Sequence, residues 1–298
     1  MFRVPVVDIY LTGACNLGCQ YCFGEQDSKP GMEQSVFLRA LDFAESVGAR
    51  SIEFCGGEPL LYRDFERAVN LGLQRGFGLI LRTNGLLLAK HRSLVASNFS
   101  AVGISLDGDP HSNDVMRPLK GSSHMTAEDK FRVPIAEIAA LKALNPEIHI
   151  VLASVATSRN IDGLTALARI LVTQRIKIDL WKVYQFVPNN FRAKTNSRAF
   201  LLGESQFKRL AIELAADIGG AFPVVCRTTE QIDGSCVVVN RDGDILLGSK
   251  TLGNVRHDDF AKLGDSLAAN GAVTAVTENK QLTYGHLRNR GSNTGTHG

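Results

Sequence analysis

Apolar runs of strand length alternate with segments of helical period over the first 186 residues. Six runs read as strands, at residues 5–11, 51–54, 78–82, 101–106, 149–156 and 177–186. In most of the intervening segments apolar residues recur three and four positions apart, which indicates helices. Strands that alternate with helices form a parallel sheet with the helices outside it. Six units are too few for a closed eight-stranded barrel, so the sequence predicts an α/β fold, an open, partial (β/α)6 barrel with functional groups at the carboxyl ends of its strands.

The pattern changes after residue 186, where a polar, turn-rich loop at 188–197 precedes a helix at 204–218. Three short strands follow, at residues 221–226, 235–240 and 244–247. Arg241, Asp242 and Gly243 lie between the last two strands and form a typical hairpin turn signal. The sequence therefore predicts three parts: a barrel at 1–187, a C-terminal α+β extension covering the barrel mouth at 188–290, and a disordered tail at 291–298.

The charge of the chain limits its partners. It carries 33 basic and 30 acidic residues, and a net charge of +3 is too weak to indicate nucleic acid or an anionic membrane. No run approaches the roughly 20 apolar residues of a membrane span. The first 13 residues read as a buried strand that supports the following motif rather than as a removable signal. We therefore expect a cytoplasmic protein without nucleic-acid or membrane partners.

Three cysteines follow the first predicted strand at C-x3-C-x2-C spacing, namely Cys15, Cys19 and Cys22, with Tyr21 before the last. Three thiolates leave one iron of a [4Fe–4S] cubane without a protein ligand, and that open iron can bind a small molecule. The alternative is a zinc knuckle, which needs four ligands and usually a second cysteine pair. No second pair follows here. The remaining cysteines at positions 55, 226 and 236 are predicted to be small buried hydrophobes, and a second cluster is not expected.

Gly56-Gly57-Glu58-Pro59 directly follows the second predicted strand. The cysteine motif and this motif together resemble the radical S-adenosylmethionine (SAM) superfamily. The resemblance implies one [4Fe–4S] cluster held by the three cysteines, with SAM on the open iron. It also implies an external one-electron reductant such as flavodoxin or ferredoxin. The reduced cluster would cleave SAM to a 5′-deoxyadenosyl radical, which removes hydrogen from an unactivated C–H bond.

The same resemblance suggests which residues bind SAM. The two glycines would let the backbone approach the SAM ammonium closely, and Glu58 would offer a counter-charge. Arg117 would pair with the SAM carboxylate, and Val155 would pack against adenine. Asn84 and Ser105, together with the neighbouring Thr83 and Asp107, end the third and fourth strands, where a turn or a helix cap is the alternative interpretation. The predicted cofactor-binding set is Tyr21, Gly56, Gly57, Glu58, Pro59, Asn84, Ser105, Arg117 and Val155.

The sixth strand, Leu-Trp-Lys-Val-Tyr-Gln-Phe at 180–186, resembles the viperin-like branch of the superfamily, which dehydrates the ribose of a nucleoside triphosphate. Lys182 would then face the cavity and meet a phosphate or carboxylate; the alternative is a structural pair with a helix carboxylate. Three polar nucleotide-binding positions of that branch are occupied here by Val151, Ala153 and Leu180. We therefore expect a less anionic substrate, such as a nucleoside, a nucleoside sugar acid or a monophosphate.

The predicted activity is hydrogen abstraction from the sugar of a nucleoside- or nucleotide-like small molecule, followed by dehydration or a similar elimination. Candidate catalytic residues are Lys182, Tyr184 and Tyr284, with His286 as a further possible hydrogen relay. An alternative is a radical SAM epimerase, dehydrogenase or decarboxylase acting on another sugar or a peptide. The resemblance also disfavours the peptide-maturing branch, whose members with auxiliary clusters have a cysteine after the hairpin. Here Gly248 and Ser249 occupy that place. A third alternative is a catalytically silent iron–sulfur or zinc protein.

Overall fold

The computed structural model describes residues 4–24, 26–121, 125–188, 191–232 and 234–271. Within these residues ten strands form one sheet in the order β10-β9-β8-β1-β2-β3-β4-β5-β6-β7. The strands are β1 Val6–Thr12, β2 Ser51–Gly56, β3 Gly78–Thr83, β4 Phe99–Ser105, β5 His149–Ala156, β6 Leu180–Gln185, β7 Val224–Arg227, β8 Val237–Val239, β9 Asp244–Leu247 and β10 Lys250–Asn254. Strands β1 to β6 are parallel and neighbour one another in chain order, which confirms the predicted partial barrel.

Helices follow most of these strands and cover the outer face of the sheet. They are α1 Gln34–Ser46, α2 Phe65–Gln74, α3 Leu88–Asn98, α4 Pro110–Met116, α5 Ala127–Leu144, α6 Ile161–Thr173, α7 Phe191–Thr195, α8 Glu204–Ile218, α9 Thr229–Ile232 and α10 Phe260–Ala269. The sequence did not predict α4, and α7 lies in the segment that it assigned to a loop. Both helices are short, so they carry little of the apolar periodicity that reveals a helix in a sequence.

Local signals account for the helix ends. Helix α1 ends before Gly48, whose φ of 69° is the left-handed conformation that glycine adopts at little cost. Helix α5 begins after Thr126, which forms a capping box with Asp129. Pro134 lies inside α5, which continues without interruption to Leu144. The capping box, rather than the proline, sets where the helix begins.

Both faces of the sheet are buried. The larger core lies between the sheet and the helices and includes the fully buried side chains of Phe37, Phe54 and Phe99. Trp181 on β6 also points outward into this core, and its Nε1 donates to Ser154 Oγ at 2.9 Å. A second cluster closes the inside of the barrel at the amino ends of the strands and consists of Val6, Ile80, Ala101, Val151 and Leu180, with the partly buried Val225 packed against it.

The strands that follow residue 187 extend the barrel sheet at both edges. Strand β7 pairs in parallel with β6, and β8 pairs in parallel with β1. Strands β8 and β9 form the predicted hairpin, in which Gly243 has a φ of 92° and donates to the Asn240 carbonyl at 3.0 Å. The boundary predicted at residue 187 therefore falls between strands of one sheet. The predicted tail at 291–298 lies outside the described residues. Within the described part, no helix combines the length and apolar character needed to cross a membrane.

Candidate active site

A cavity of about 270 Å³ opens at the carboxyl ends of the barrel strands. Eleven of the residues singled out from the sequence line it: Cys15, Cys19, Tyr21, Cys22, Gly56, Gly57, Asn84, Ser105, Arg117, Val155 and Tyr184. They come from loops and strand ends spread over most of the barrel. The parallel sheet brings them together because it places the ends of all its strands at one edge.

The loop that carries the three cysteines connects β1 to α1 and is held by the segment after α4. Leu17 and Leu119 form an antiparallel bridge, the Gly18 N–H donates to the Pro118 carbonyl at 2.7 Å, and Lys120 N–H donates to the Asn16 carbonyl at 2.9 Å. Apolar side chains pack around the loop in a cluster that includes Leu17, Tyr21, Met116, Phe186 and Phe200. The cysteine loop is therefore anchored by backbone hydrogen bonds and by an apolar cluster against which the cysteines themselves pack.

Burial raises the pKa of all three thiols, that of Cys22 to about 11. The thiols of the metal-free loop are therefore protonated near neutral pH, and a metal must displace those protons when it binds. Among the described residues, no three His, Cys, Asp or Glu side chains are placed to hold a single metal ion. A cubane takes each thiolate on a different iron, so its ligands are spread more widely than those of one ion. The thiols of Cys15, Cys19 and Cys22, which one loop brings to the cavity, fit such a cluster.

Gly56 and Gly57 allow the end of β2 to lie directly against the cysteine loop. Gly57 N–H donates to the Thr12 carbonyl at 2.6 Å, and the next N–H, that of Glu58, donates to the Ala14 carbonyl at 2.7 Å. A Cβ atom on Gly57 would lie 2.2 Å from the Ala14 oxygen, which no side chain tolerates. Gly56 has a φ of 134°, a conformation that also requires glycine. The two glycines therefore fix the spacing between two walls of the cavity.

The carboxylate of Glu58 is fully buried and does not line the cavity. Its oxygens accept hydrogen bonds from the Thr83 hydroxyl at 2.7 Å, from the Asn84 N–H at 2.8 Å and from the Leu60 N–H at 3.2 Å. Burial raises the pKa of Glu58 above its ordinary value. Pro59 begins a short 3₁₀ turn that Glu58 caps, and it lies outside the cavity lining. Glu58 therefore joins the ends of β2 and β3.

A carboxylate network at the end of β4 connects three walls of the cavity. Asp107 Oδ2 accepts from Arg117 Nη1 at 2.6 Å and also from the Tyr21 hydroxyl. The other oxygen, Oδ1, accepts from the Val155 N–H at 2.6 Å. Burial raises the pKa of Tyr21, so its hydroxyl stays protonated and remains a donor. Asp107 thus joins the cysteine loop, Arg117 and the end of β5 through one side chain.

Asn84 and Ser105 lie on the wall between these two networks. Asn84 Nδ2 donates to Asn16 Oδ1 at 2.7 Å, and its own Oδ1 accepts from Leu86 N–H at 3.0 Å. Ser105 is partly exposed to the cavity at the last position of β4. Asn84 therefore connects the end of β3 to the cysteine loop, in addition to the connections made by the Gly57–Glu58 backbone and by Asp107.

The candidate catalytic residues are placed differently from one another. Tyr184 lines the cavity near the end of β6. Lys182 is 3% exposed and is not part of the lining; its Nζ lies 5.6 Å from the centre of the Tyr184 ring. We expected Lys182 to face the cavity, but its amine is buried beneath Tyr184. Tyr284 and His286 lie outside the described residues.

Cys55 and Cys236 were predicted to be small buried hydrophobes, but both line the cavity. With them, five residues with reactive or charged side chains line the cavity without having been assigned to the site from the sequence: Asp8, Tyr10, Cys55, Arg82 and Cys236. The first four alternate along their strands with buried outward-facing residues, so they point into the barrel. Asp8 and Arg82 carried a usable signal, because a charged residue inside an otherwise apolar strand needs a polar environment.

These features define an enzyme-like α/β barrel with a thiol-lined cofactor cavity at its mouth. Comparison with known proteins agrees with this class. The family model of the radical SAM superfamily matches residues 9–133. The S-adenosylmethionine-dependent nucleotide dehydratase of Selenomonas ruminantium is 26% identical over 272 residues, which cover 87% of this chain and 93% of that protein.

A second protein of that description, from Psychrobacter lutiphocae, is 26% identical over 223 residues and covers 68% of this chain and 70% of its own. Among solved structures, anSMEcpe with bound AdoMet and the Cp18Cys peptide has a TM-score of 0.68 at 18% identity over 95% of this chain and 87% of that one, which supports the fold. Residues 9–133 match the radical SAM superfamily, and the two dehydratase relatives support a radical SAM enzyme. The two dehydratases confirm the predicted viperin-like branch.

Proposed function

We propose that this enzyme uses SAM to abstract hydrogen from the sugar of a nucleoside- or nucleotide-like small molecule and that water is then eliminated. The observation that carries the proposal is the convergence of three thiols, the Gly56–Gly57 wall and the Asp107–Arg117 pair on one cavity. Similarity to a nucleotide dehydratase along 93% of that protein supports the substrate class. An external one-electron reductant, such as flavodoxin or ferredoxin, completes the reaction.

Cys15, Cys19 and Cys22 would hold a [4Fe–4S] cluster, and the neighbouring wall would hold SAM. When bound, this pair supplies one-electron cleavage of SAM and a hydrogen-abstracting agent. Arg117 keeps donors beyond the one that it gives to Asp107, because a guanidinium has five N–H groups. Its side chain is 14% exposed, so the remaining N–H groups can meet the SAM carboxylate with little competition from water.

Other side chains would shape the substrate end of the cavity. Ser105 and Ala153 are small and leave room beside the β4–β5 wall. Tyr184 presents a phenol there, which can hydrogen-bond a sugar hydroxyl or pass a hydrogen to the product. Lys182 lies behind Tyr184 and would act on the substrate through that ring rather than by contact. Tyr10 and Phe186 help to exclude water from the reacting carbon.

The experiment is anaerobic turnover of the reconstituted enzyme with dithionite and a panel of nucleosides and nucleotides. We expect at least one of them to stimulate formation of 5′-deoxyadenosine, with deuterium transferred from a sugar-labelled substrate into that product. Cys19→Ala should abolish the stimulation, whereas Cys226→Ala, which changes a thiol outside the cavity lining, should retain it. Stimulation by a peptide or another sugar, but by no nucleoside or nucleotide, would favour the epimerase or dehydrogenase alternative.

A further inference from the structure

The inner end of the cavity is closed by an apolar floor. Val6, Ile80 and Ala101 are at most 4% exposed and pack with Val151 and Leu180 across the inside of the barrel. A ligand that enters from the mouth therefore stops one layer above this floor. The side chains of that next layer determine which chemical groups can be accommodated.

This layer is divided between charged and small side chains. Strands β1, β2 and β3 contribute Asp8, Glu53 and Arg82, whereas β4 and β5 contribute Gly103 and Ala153. All five point inward, because they lie two positions from residues of the apolar floor or of the cavity lining. A ligand has space along the β4–β5 side and meets charged groups along the β1–β3 side.

The charge of Arg82 is already compensated by the protein. Arg82 Nε and Nη2 both donate to Glu53 Oε1, at 2.9 and 2.7 Å. The Glu53 side chain is fully buried, whereas that of Arg82 is 37% exposed and lines the cavity. A fully buried carboxylate needs a cation beside it, so binding an anionic ligand to Arg82 would weaken the pair on which Glu53 depends.

Four further charged groups lie in this layer or near it, namely Asp8, Lys182, Arg117 and Arg227. Asp8 lies opposite Glu53 in the β1–β2 register and adds a carboxylate to the wall. Arg117, which like Arg82 brings a guanidinium to the lining, is paired with Asp107. Lys182 on β6 belongs to the same layer. Among the described residues the layer therefore holds two carboxylates, Asp8 and Glu53, and two cations, Arg82 and Lys182, so it is formally neutral. Arg227 lies one layer higher, opposite Tyr184, and its Nη2 donates to the Gln231 carbonyl.

We infer that the cavity takes a nucleoside in preference to its triphosphate and that Glu53 determines this preference. The inference rests on the proposed function and narrows its substrate class. A triphosphate would bring several negative charges beside Asp8 and Glu53, where the Arg82 guanidinium is already paired with Glu53, and buried uncompensated charge is costly. A nucleoside places only hydroxyl and base groups there, and Asp8 and Arg82 can hydrogen-bond with these without a change in net charge.

The test compares a nucleoside, its 5′-monophosphate and its 5′-triphosphate, each with and without Mg²⁺, on the reconstituted enzyme with SAM. We measure KM for stimulated SAM cleavage and, independently of turnover, the shift in melting temperature that each compound produces. We expect the KM of the triphosphate to be at least about tenfold above that of the nucleoside, because one unfavourable close contact between like charges is enough to produce a difference of this size. An equal or lower KM for the triphosphate would overturn the inference while leaving the proposed function intact. No response to any of the three compounds, with any nucleobase, would instead count against the proposed function itself.

Two variants assign the preference to the charged wall. Glu53→Gln keeps a hydrogen-bonding partner for Arg82 but removes the negative charge, so we expect the triphosphate-to-nucleoside KM ratio to fall about tenfold. Asp8→Asn removes a charge that faces the cavity and should also lower the triphosphate-to-nucleoside KM ratio. This variant keeps the inference testable if Glu53→Gln does not fold. Glu45→Gln is the matched control, because Glu45 is an exposed partner of Arg75 on the outer surface. An unchanged ratio in the folded variants would refute the assignment to Glu53.

Discussion

Arg117 Nη1 donates a hydrogen bond of 2.6 Å to Asp107 Oδ2, and the hydroxyl of Tyr21 donates to that same oxygen. The two donors come from two different segments, one from the end of α4 and one from the cysteine loop. A shift of either donor changes the geometry available to the other, because both share one acceptor. This arrangement couples the position of the cysteine loop to the position of Arg117.

Replacement of Asp107 by asparagine tests this coupling. The amide keeps the shape but loses the charge that compensates Arg117, so we expect the free energy of unfolding to fall by about 3 kcal/mol. The affinity for SAM, measured by equilibrium dialysis, should fall as well. Asp109→Asn is the matched control, because Asp109 caps α4 and asparagine is an equally good N-cap. Equal stabilities of the two variants in urea unfolding would contradict the role of Asp107.

The close contact between β2 and the cysteine loop predicts that Gly57→Ala is damaging. The new methyl group would collide with the Ala14 carbonyl oxygen, and we expect a loss of about 1–3 kcal/mol of stability together with weaker retention of iron. Gly264→Ala on α10 is the control. Apart from its chain neighbours and the backbone of its own helix, no atom of the described residues lies within 4 Å of the added methyl, so Gly264→Ala should gain about 0.5–1 kcal/mol. Thermal unfolding and iron content report both effects, and a neutral Gly57→Ala would disprove the close-packing argument.

The three cysteines predict a simple pattern of iron binding. Cys15→Ala, Cys19→Ala and Cys22→Ala should each lose most of the iron and acid-labile sulfide after anaerobic reconstitution. Cys226→Ala should keep about four irons per chain, as expected for one cubane. Circular dichroism checks that the variants are folded. Full iron content in any of the three loop variants would show that its thiol is not a ligand.

The ion pair between Arg241 and Asp27 predicts a pH dependence of stability. Arg241 joins the β8–β9 hairpin to Asp27 in the loop between β1 and α1, and its hydrogen bonds lower the pKa of Asp27 below the ordinary value of 3.8. A lowered folded-state pKa means that the ionised carboxylate stabilises the fold above pH 3.8 and that this contribution is lost as the pH falls through the folded-state pKa.

Asp27→Asn should therefore lower the free energy of unfolding by about 1 kcal/mol at neutral pH, since the pair is partly exposed. The difference from the unmodified protein should shrink as the pH falls below 3.8. Urea unfolding at a series of pH values measures this. Arg241→Gln serves as the second arm and should follow the same curve. A difference that persists unchanged in acid would mean that the charge of Asp27 is not responsible.

Short-range patterns were enough to predict much of the barrel. The strand that became β5 was predicted with the same bounds, His149–Ala156, because its apolar run is bounded by turn residues. The cysteine loop and the glycine pair were found for a similar reason: their chemistry lies in a few consecutive residues. The edge strand β7 was predicted as a strand, but its pairing with β6 was not, since a short strand carries no signal for its partner.

The sequence by itself determined the alternation of strands and helices, the three adjacent thiols and hence the class of enzyme, since these depend on residues close together in the chain. Only the tertiary structure decided that Glu58 holds β3 rather than lining the cavity, and that Asp107 joins Tyr21 to Arg117. It also decided that Glu53 compensates Arg82, whereas Lys182 lies buried beneath Tyr184. Tyr21 and Asp107 are 86 positions apart, and Asp27 and Arg241 are 214 apart. Such contacts depend on how the sheet closes around its interior, which sets the partner, burial and charge of each side chain.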